Sequence, residues 1–345
     1  MPEFLPKEFR SAHDFAFFLH DRLADIVVSG EKAGDFQVTF ELKSPSDADV
    51  FRTLPGEELW DWLQDNGYER IVVELANRQV MAALLSDLCH FVYEALRCSA
   101  KGKLVVAYAL LRKPFKDNLF YLEWLLADPD DFQHKFHEES PEALAQTAPK
   151  RKLAIIGAAI DKTRYPGWVS ARFIYELRYD KRATYGLEGL WNKATHLITT
   201  FHPAYTTEAQ NFNFVFSDEE ARLQQWRVLY LLLPLLLYHT VEIVEALVAT
   251  IVDRPRLEAD LHYIQQVVGF LLFAEGFETN DQERMLLSPI RDALDRLELR
   301  CPTCGRRVSF RAENLGALYR FGEVRCGICD TNIQLSQRIG SGESG

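Results

Sequence analysis

Val228-Leu229-Tyr230-Leu231-Leu232-Leu233-Pro234-Leu235-Leu236-Leu237-Tyr238 is an uncharged run of 11 residues, followed by His239, Glu242 and Glu245. How it is read decides the fold. A membrane span needs about 20 mostly apolar residues, and this run is cut short by ionisable groups. It therefore reads as the central, buried helix of a helical body, bent where Pro234 removes a backbone donor. Immediately upstream, Ser217-Asp218-Glu219-Glu220 has the form of a capping box, with the Ser217 oxygen taking a first-turn N–H and Glu220 reaching back. The helix so started reaches Ile251.

Helical periodicity extends outward from that run. Downstream, helices are expected over 254–274 and 289–298, the second opened by Ser288-Pro289 as cap and first-turn proline. Upstream, Phe9, Phe15, Phe18, Leu19 and Leu23 form one apolar stripe over 7–28, closed by Gly30. Further helices are expected over 68–98, 103–127, 149–162, 168–179 and 184–200. Phe36-Gln37-Val38-Thr39-Phe40-Glu41-Leu42 alternates as a strand does. Phe212, Phe214 and Phe216 alternate alike and would be its partner, with the C-terminal region as the alternative. The expected class is mainly α: a multi-helix body with a short β-hairpin or isolated strands.

With 345 residues, 48% of them hydrophobic and 26% charged, the chain can bury a substantial core. Its 50 acidic and 39 basic residues give a net charge of −11, which disfavours broad electrostatic binding of nucleic acid. A local basic face remains at Arg300, Arg306, Arg307, Arg311, Arg320 and Arg325. Met1-Pro2-Glu3-Phe4 lacks the basic and apolar regions of a signal peptide. Cys89 and Cys98, nine apart on one apolar helix, read as buried free thiols; such unpaired cysteines suit a reducing, cytoplasmic compartment.

The remaining four cysteines lie in Cys301-Pro302-Thr303-Cys304-Gly305 and Cys326-Gly327-Ile328-Cys329-Asp330, separated by 21 residues. Each Cys-x-x-Cys points two thiolates at one metal. Val308-Ser309-Phe310, Gly322-Glu323-Val324-Arg325 and Ile333-Gln334-Leu335 read as short strands around them. Together they resemble a zinc ribbon, which implies one structural zinc ion held by Cys301, Cys304, Cys326 and Cys329, with no open position for substrate water. Cys-Pro-x-Cys-Gly also resembles a rubredoxin knuckle, which would hold iron; against that, the proline-bearing knuckle comes first and the second is Cys-Gly-Ile-Cys-Asp. The expected organisation is a helical domain over 1–299, the ribbon over 300–337 and a tail over 338–345.

A second constellation lies in the body. Trp191-Asn192-Lys193-Ala194-Thr195-His196 sits on an expected helix, and Leu111-Arg112-Lys113-Pro114-Phe115-Lys116-Asp117-Asn118 opens another that carries Glu123-Trp124. Over residues 85–275 these segments resemble the HEPN-like superfamily, which contains many prokaryotic RNases and defence proteins. Its motif is Arg, a polar residue, three variable residues, then His. Asn192 and His196 match the polar and His places, and Trp191 stands at the Arg place, where it can supply no cation. The resemblance implies two functions. In one, the chain is a non-catalytic, zinc-binding interaction or regulatory protein in prokaryotic defence or RNA-linked regulation. A protein or nucleic acid would dock at the ribbon, with no membrane role, and the chain could form a homodimer. In the alternative it is a metal-independent RNase with candidates Asn192 and His196 and a displaced arginine: Arg112, Arg172 or Arg178.

Other histidines have plainer readings. His134 and His137, with Glu138 and Glu139, suit an exposed helix or linker, and His202 precedes Pro203 in a turn. His239, Glu242 and Glu245 form a polar stripe or pair internally with Arg172 or Arg178. The sequence has no phosphate-cradling glycine loop, nucleophile elbow or His-Glu-x-x-His motif.

Overall fold

The computed structural model describes residues 4–335, apart from 139, 141–143, 145, 165–166, 184, 201–202, 216, 254–255, 276–290, 293, 297 and 311. The protein is mainly helical, and among the described residues its sheet consists of two antiparallel strands near the C-terminus. The chain divides into two compact units. One comprises residues 20–224 and 239–252; the other comprises 2–19, 225–238 and 253–345.

The first unit is built on α1 (Arg10–Ala33, its second half), α2 (Pro45–Thr53), α3 (Gly56–Asp65) and α4 (Glu69–Ala100). These are followed by α5 (Leu104–Lys113) and α6 (Leu119–Ala127), joined by a π-helical turn, Pro114–Asn118. Pro114 has no N–H to give the ladder and its ring crowds the preceding turn. The chain widens there, and the Leu119 N–H reaches the Pro114 carbonyl. Next come α7 (Pro129–Glu138), α8 (Pro149–Ile160), α9 (Ala171–Tyr179), α10 (Glu188–Thr195) and the ends of α11 (Glu219–Ala249). Leu85, Leu88, Val92, Leu96, Tyr108, Phe115, Leu119 and Leu122 are among its fully buried residues.

The expected strand over 36–42 is not formed. A side chain, not a neighbouring strand, meets its start: Arg78 Nη1 donates to Gln37 O and to Asp35 O just before it, at 2.8 Å each. Phe40 and Leu42 pack on a cluster of Leu63, Tyr68 and Val72, so the alternation reflects one-sided packing of an extended segment. Its supposed partner turns instead, with Phe214 at φ +62° and the Val215 N–H on Phe212 O; Phe216 lies outside the described residues. Gly30 does not end α1, which runs to Ala33 and stops at Gly34 (φ +77°). Gly30 is needed for a different reason: a Cβ there would meet the Phe36 ring at 2.8 Å. The cap of α11 is Asp218, whose Oδ1 accepts from the Ala221 N–H at 2.8 Å; Ser217 Oγ donates to Phe214 O.

The second unit takes the first half of α1, the middle of α11, α12 (Arg256–Glu275) and the C-terminal elements. Leu229, Tyr230, Leu233, Leu236 and Leu237 are buried, and Tyr230 OH shares a 2.6 Å hydrogen bond with His13 Nδ1. By length and composition α11 passes for a membrane span, but 78% of its apolar window is buried inside the molecule, as in a core helix. Ser288-Pro289 and the tail 338–345 lie outside the described residues.

The C-terminal elements differ from expectation. The spacer between the cysteine pairs contains a helix, α13 (Ala312–Phe321), which packs on α12 and on β1 (Glu323–Arg325). β1 pairs with β2 (Asn332–Gln334) in the register Val324 to Ile333. Val308–Phe310 is not a strand; one isolated bridge joins Arg300 to Arg307. The amphipathic residues of 312–321 follow a helical period: Leu315, Leu318 and Tyr319 are buried while Arg320 and Phe321 are exposed.

Candidate metal centre

The two knuckles are built alike. In each, the residue after the second cysteine has a left-handed backbone: Gly305 at φ +69° and Asp330 at φ +61°. In each, that residue's N–H donates to the first cysteine's carbonyl, Gly305 to Cys301 at 2.9 Å and Asp330 to Cys326 at 3.0 Å. The first cysteine's own N–H reaches the far side of the turn, Cys301 to Arg306 O at 2.9 Å and Cys326 to Thr331 O at 3.0 Å. Only a left-handed residue closes the turn this tightly; glycine takes that shape freely, and aspartate is one of the few others that tolerate it. Cys301 and Cys326 are buried, as are Val308, Phe310, Val324 and Ile333, while Cys329 is exposed.

The knuckles bring all four Sγ atoms within 4.8 Å of one another. Cys301 Sγ lies 3.5 Å from Cys329 Sγ, and Cys304 Sγ 3.6 Å from Cys326 Sγ. These separations are too long for disulfides and close to the ~3.8 Å edge of a tetrahedron with Zn–S bonds of about 2.3 Å. The protons of the four thiols are unevenly held. Burial opposes ionisation of Cys301, but the N–H groups of Cys304 and Thr303 and the neighbouring thiols outweigh it and bring it down to about 6. The Arg306 N–H favours a Cys304 thiolate, yet burial and the three other sulfurs push that thiol up to about 12. Four soft donors that cannot all ionise beside each other suit a divalent cation at their centre, and zinc is the ion such a closed set favours. It is the only group of three or more metal-ligating side chains among the described residues.

The body holds a second polar centre, which the sequence reading only touched. Glu123, Arg178 and His239 are completely buried. Arg178 Nη1 lies 2.7 Å from both Glu123 oxygens, Arg178 Nε donates to Phe115 O, and His239 Nε2 donates to Glu123 Oε1 at 2.8 Å. Burial alone would raise Glu123; Arg178 and His239 hold it below the usual carboxylate range. One turn along α11, Glu242 is pushed up to about 7 by burial and by Glu245, against Arg164. Glu245 itself meets Arg22 Nε at 3.2 Å. The expected pairing of the His239 stripe with Arg178 is thus made through Glu123, a link between helices that no local spacing signals.

Asn192 and His196 do not share a helical face. α10 ends at Thr195, and His196 is extended (φ −129°) and exposed. Asn192 Nδ2 is committed to Glu188 O and Oε1, and Glu188 is held by Lys116 Nζ at 2.7 Å. Trp191 is fully buried. Of the displaced-arginine candidates, Arg178 is sealed in its pair and Arg172 lies in an exposed pair with Glu176. His134 and His137 are exposed on α7; Glu139 lies outside the described residues, as does His202. Cys89 is buried, its thiol pushed up to about 12 by that burial, whereas Cys98 is partly exposed. A cavity of about 530 Å³, unforeseen from sequence, lies between the start of α4 and the end of α11, floored by Met81, Leu125, Leu126 and Leu247.

No protein-family model, curated protein or solved structure matches this chain. The HEPN-like resemblance accordingly draws no support from comparison.

Proposed function

We propose that this chain is a non-catalytic, zinc-stapled helical interaction protein with a regulatory role. In this reading residues 1–299 form the body and residues 300–337 form a ribbon that docks a protein partner in a reducing, cytoplasmic setting. The observation that carries the reading is the closed four-thiolate cluster, whose sulfurs leave no position for substrate and so give the metal a structural role. Apolar side chains stand out in the same C-terminal segment: Ile328, within the second knuckle, is 71% exposed and Phe321, at the end of α13, is 66% exposed. The commitment of Asn192 to Glu188 and the position of His196 beyond its helix speak against the RNase alternative.

The test is capture from the native host with the intact chain and with Ile328→Glu, copurified RNA being sequenced in parallel. The expected result is a specific protein lost with Ile328→Glu while zinc is retained. RNA alone in the capture would replace the protein partner with nucleic acid. Metal-independent RNA cleavage that vanishes in His196→Ala would overturn the reading in favour of the nuclease.

A further inference from the structure

The cavity between the start of α4 and the end of α11 is built within the first unit: the residues around it all lie in 20–224 or 239–252. Its volume of about 530 Å³ falls in the range of small-molecule sites, roughly 300–1,000 Å³. The floor is aliphatic. Met81, Leu125, Leu126 and Leu247, from three helices, are each no more than 4% exposed and face this one space. The rim is charged, with both signs: Glu69, Arg70, Asp130 and Lys162 surround the same space and are exposed. Two further charges in the wall are already closed, since Arg78 pairs with Glu74 and donates to the Asp35 and Gln37 carbonyls. The four at the rim are not paired with one another. Lys162 Nζ donates to Leu126 O and Ala127 O at 2.9 Å each and meets no carboxylate among the described residues. Glu69, Arg70 and Asp130 have neither a hydrogen bond nor an ion pair among the described residues. Glu69 and Asp130 stand in the first turns of α4 and α7, where a helix favours a carboxylate. Arg70, in the same turn as Glu69, is a cation where a helix disfavours one, so helix stability does not account for it.

We propose that this cavity binds a small apolar zwitterion, an amino acid or short peptide with an aliphatic side chain. Arg70, with Lys162 adding positive charge, receives the carboxylate. Glu69 and Asp130 receive the ammonium, and the side chain covers the floor. A ligand of one sign only would set two of the four rim groups against it, whereas a zwitterion matches both pairs. A guanidinium can hold a carboxylate by two parallel hydrogen bonds, and an aliphatic side chain gains by leaving water for the floor. The site lies in the body and is independent of the ribbon reading.

The experiment is calorimetric titration of the full chain with leucine and with leucyl-leucine, beside three controls. Isocaproate lacks the ammonium, isoamylamine lacks the carboxylate, and glycine lacks the side chain. The account expects saturable binding of leucine or leucyl-leucine, the tighter of the two identifying a free amino acid or a peptide. Isocaproate and isoamylamine should each bind about fivefold or more weakly, having lost one charge at close range, and glycine should show no saturation. Arg70→Gln and Asp130→Asn should each weaken leucine binding by about fivefold for the same reason. Lys7→Gln, outside the cavity, should leave it unchanged. Arg70 and Asp130 are exposed and hold no partner among the described residues, so both variants keep the fold. No saturable signal with either leucine or leucyl-leucine overturns the proposal. Isocaproate, isoamylamine or glycine binding as tightly as leucine also overturns it, as does unchanged affinity in Arg70→Gln.

Discussion

The four-thiolate cluster and the Glu123–Arg178–His239 cluster are both centres where ionisable groups converge, yet they are assembled in opposite ways. The thiolates come from one stretch of chain, the farthest pair 28 residues apart, each pair preset by a local turn. The ion cluster joins residues 55 and 116 positions apart, brought together only by packing of α6, α9 and α11. The first gathers its four sulfurs through short-range geometry into a set that could hold a metal ion. The second must compensate buried charge entirely with protein groups, so its worth depends on every partner being present.

That contrast can be broken experimentally, beginning where the effect is largest. Chelating the metal, or replacing Cys326 with serine, should remove on the order of 10 kcal/mol of binding energy from the C-terminal region. Hydrogen exchange would show β1 and β2 losing protection while α6 and α9 keep theirs; equal loss in both regions would refute the local character of the thiolate site. Glu123→Ala should cost about 3–5 kcal/mol in chemical denaturation, because it strands Arg178 in a dry interior. A smaller, pH-dependent effect belongs to Glu242. Its folded carboxyl titrates near 7, above its ordinary value of 4.5. The folded state therefore holds the proton more tightly than the unfolded chain does. The stabilisation is complete below pH 4.5 and is lost as pH rises through 7, a fall of about 3 kcal/mol. Glu242→Gln should flatten that part of the stability curve. The smallest effect compares the knuckles with each other. Asp330→Gly should stabilise by a few tenths to about 1 kcal/mol by relieving a left-handed aspartate, its surface pair with Arg325 contributing little. Gly305→Ala should destabilise by about as much.

What was legible follows the same division. The cysteine spacing named the four thiols that the fold brings within 4.8 Å of one another, and the 3.6-residue period located the long helices, including α4 and α11. Alternation misled at Phe36–Leu42, because one-sided packing of an extended segment, anchored by Arg78, writes the same pattern as a strand. The helix α13 was overlooked in a spacer read for strands, although Leu315, Leu318 and Tyr319 carry a helical period. The His-x-x-Glu stripe on α11 was visible, but its partner Glu123 was not, since nothing local in the sequence couples position 123 to position 239.

The central claim is that the four cysteines hold one structural zinc ion, and metal analysis of the purified chain tests it most directly. The account predicts one zinc per chain, lost in both Cys301→Ser and Cys326→Ser. A metal-free chain, a red iron chromophore, or full zinc content in either variant would contradict it.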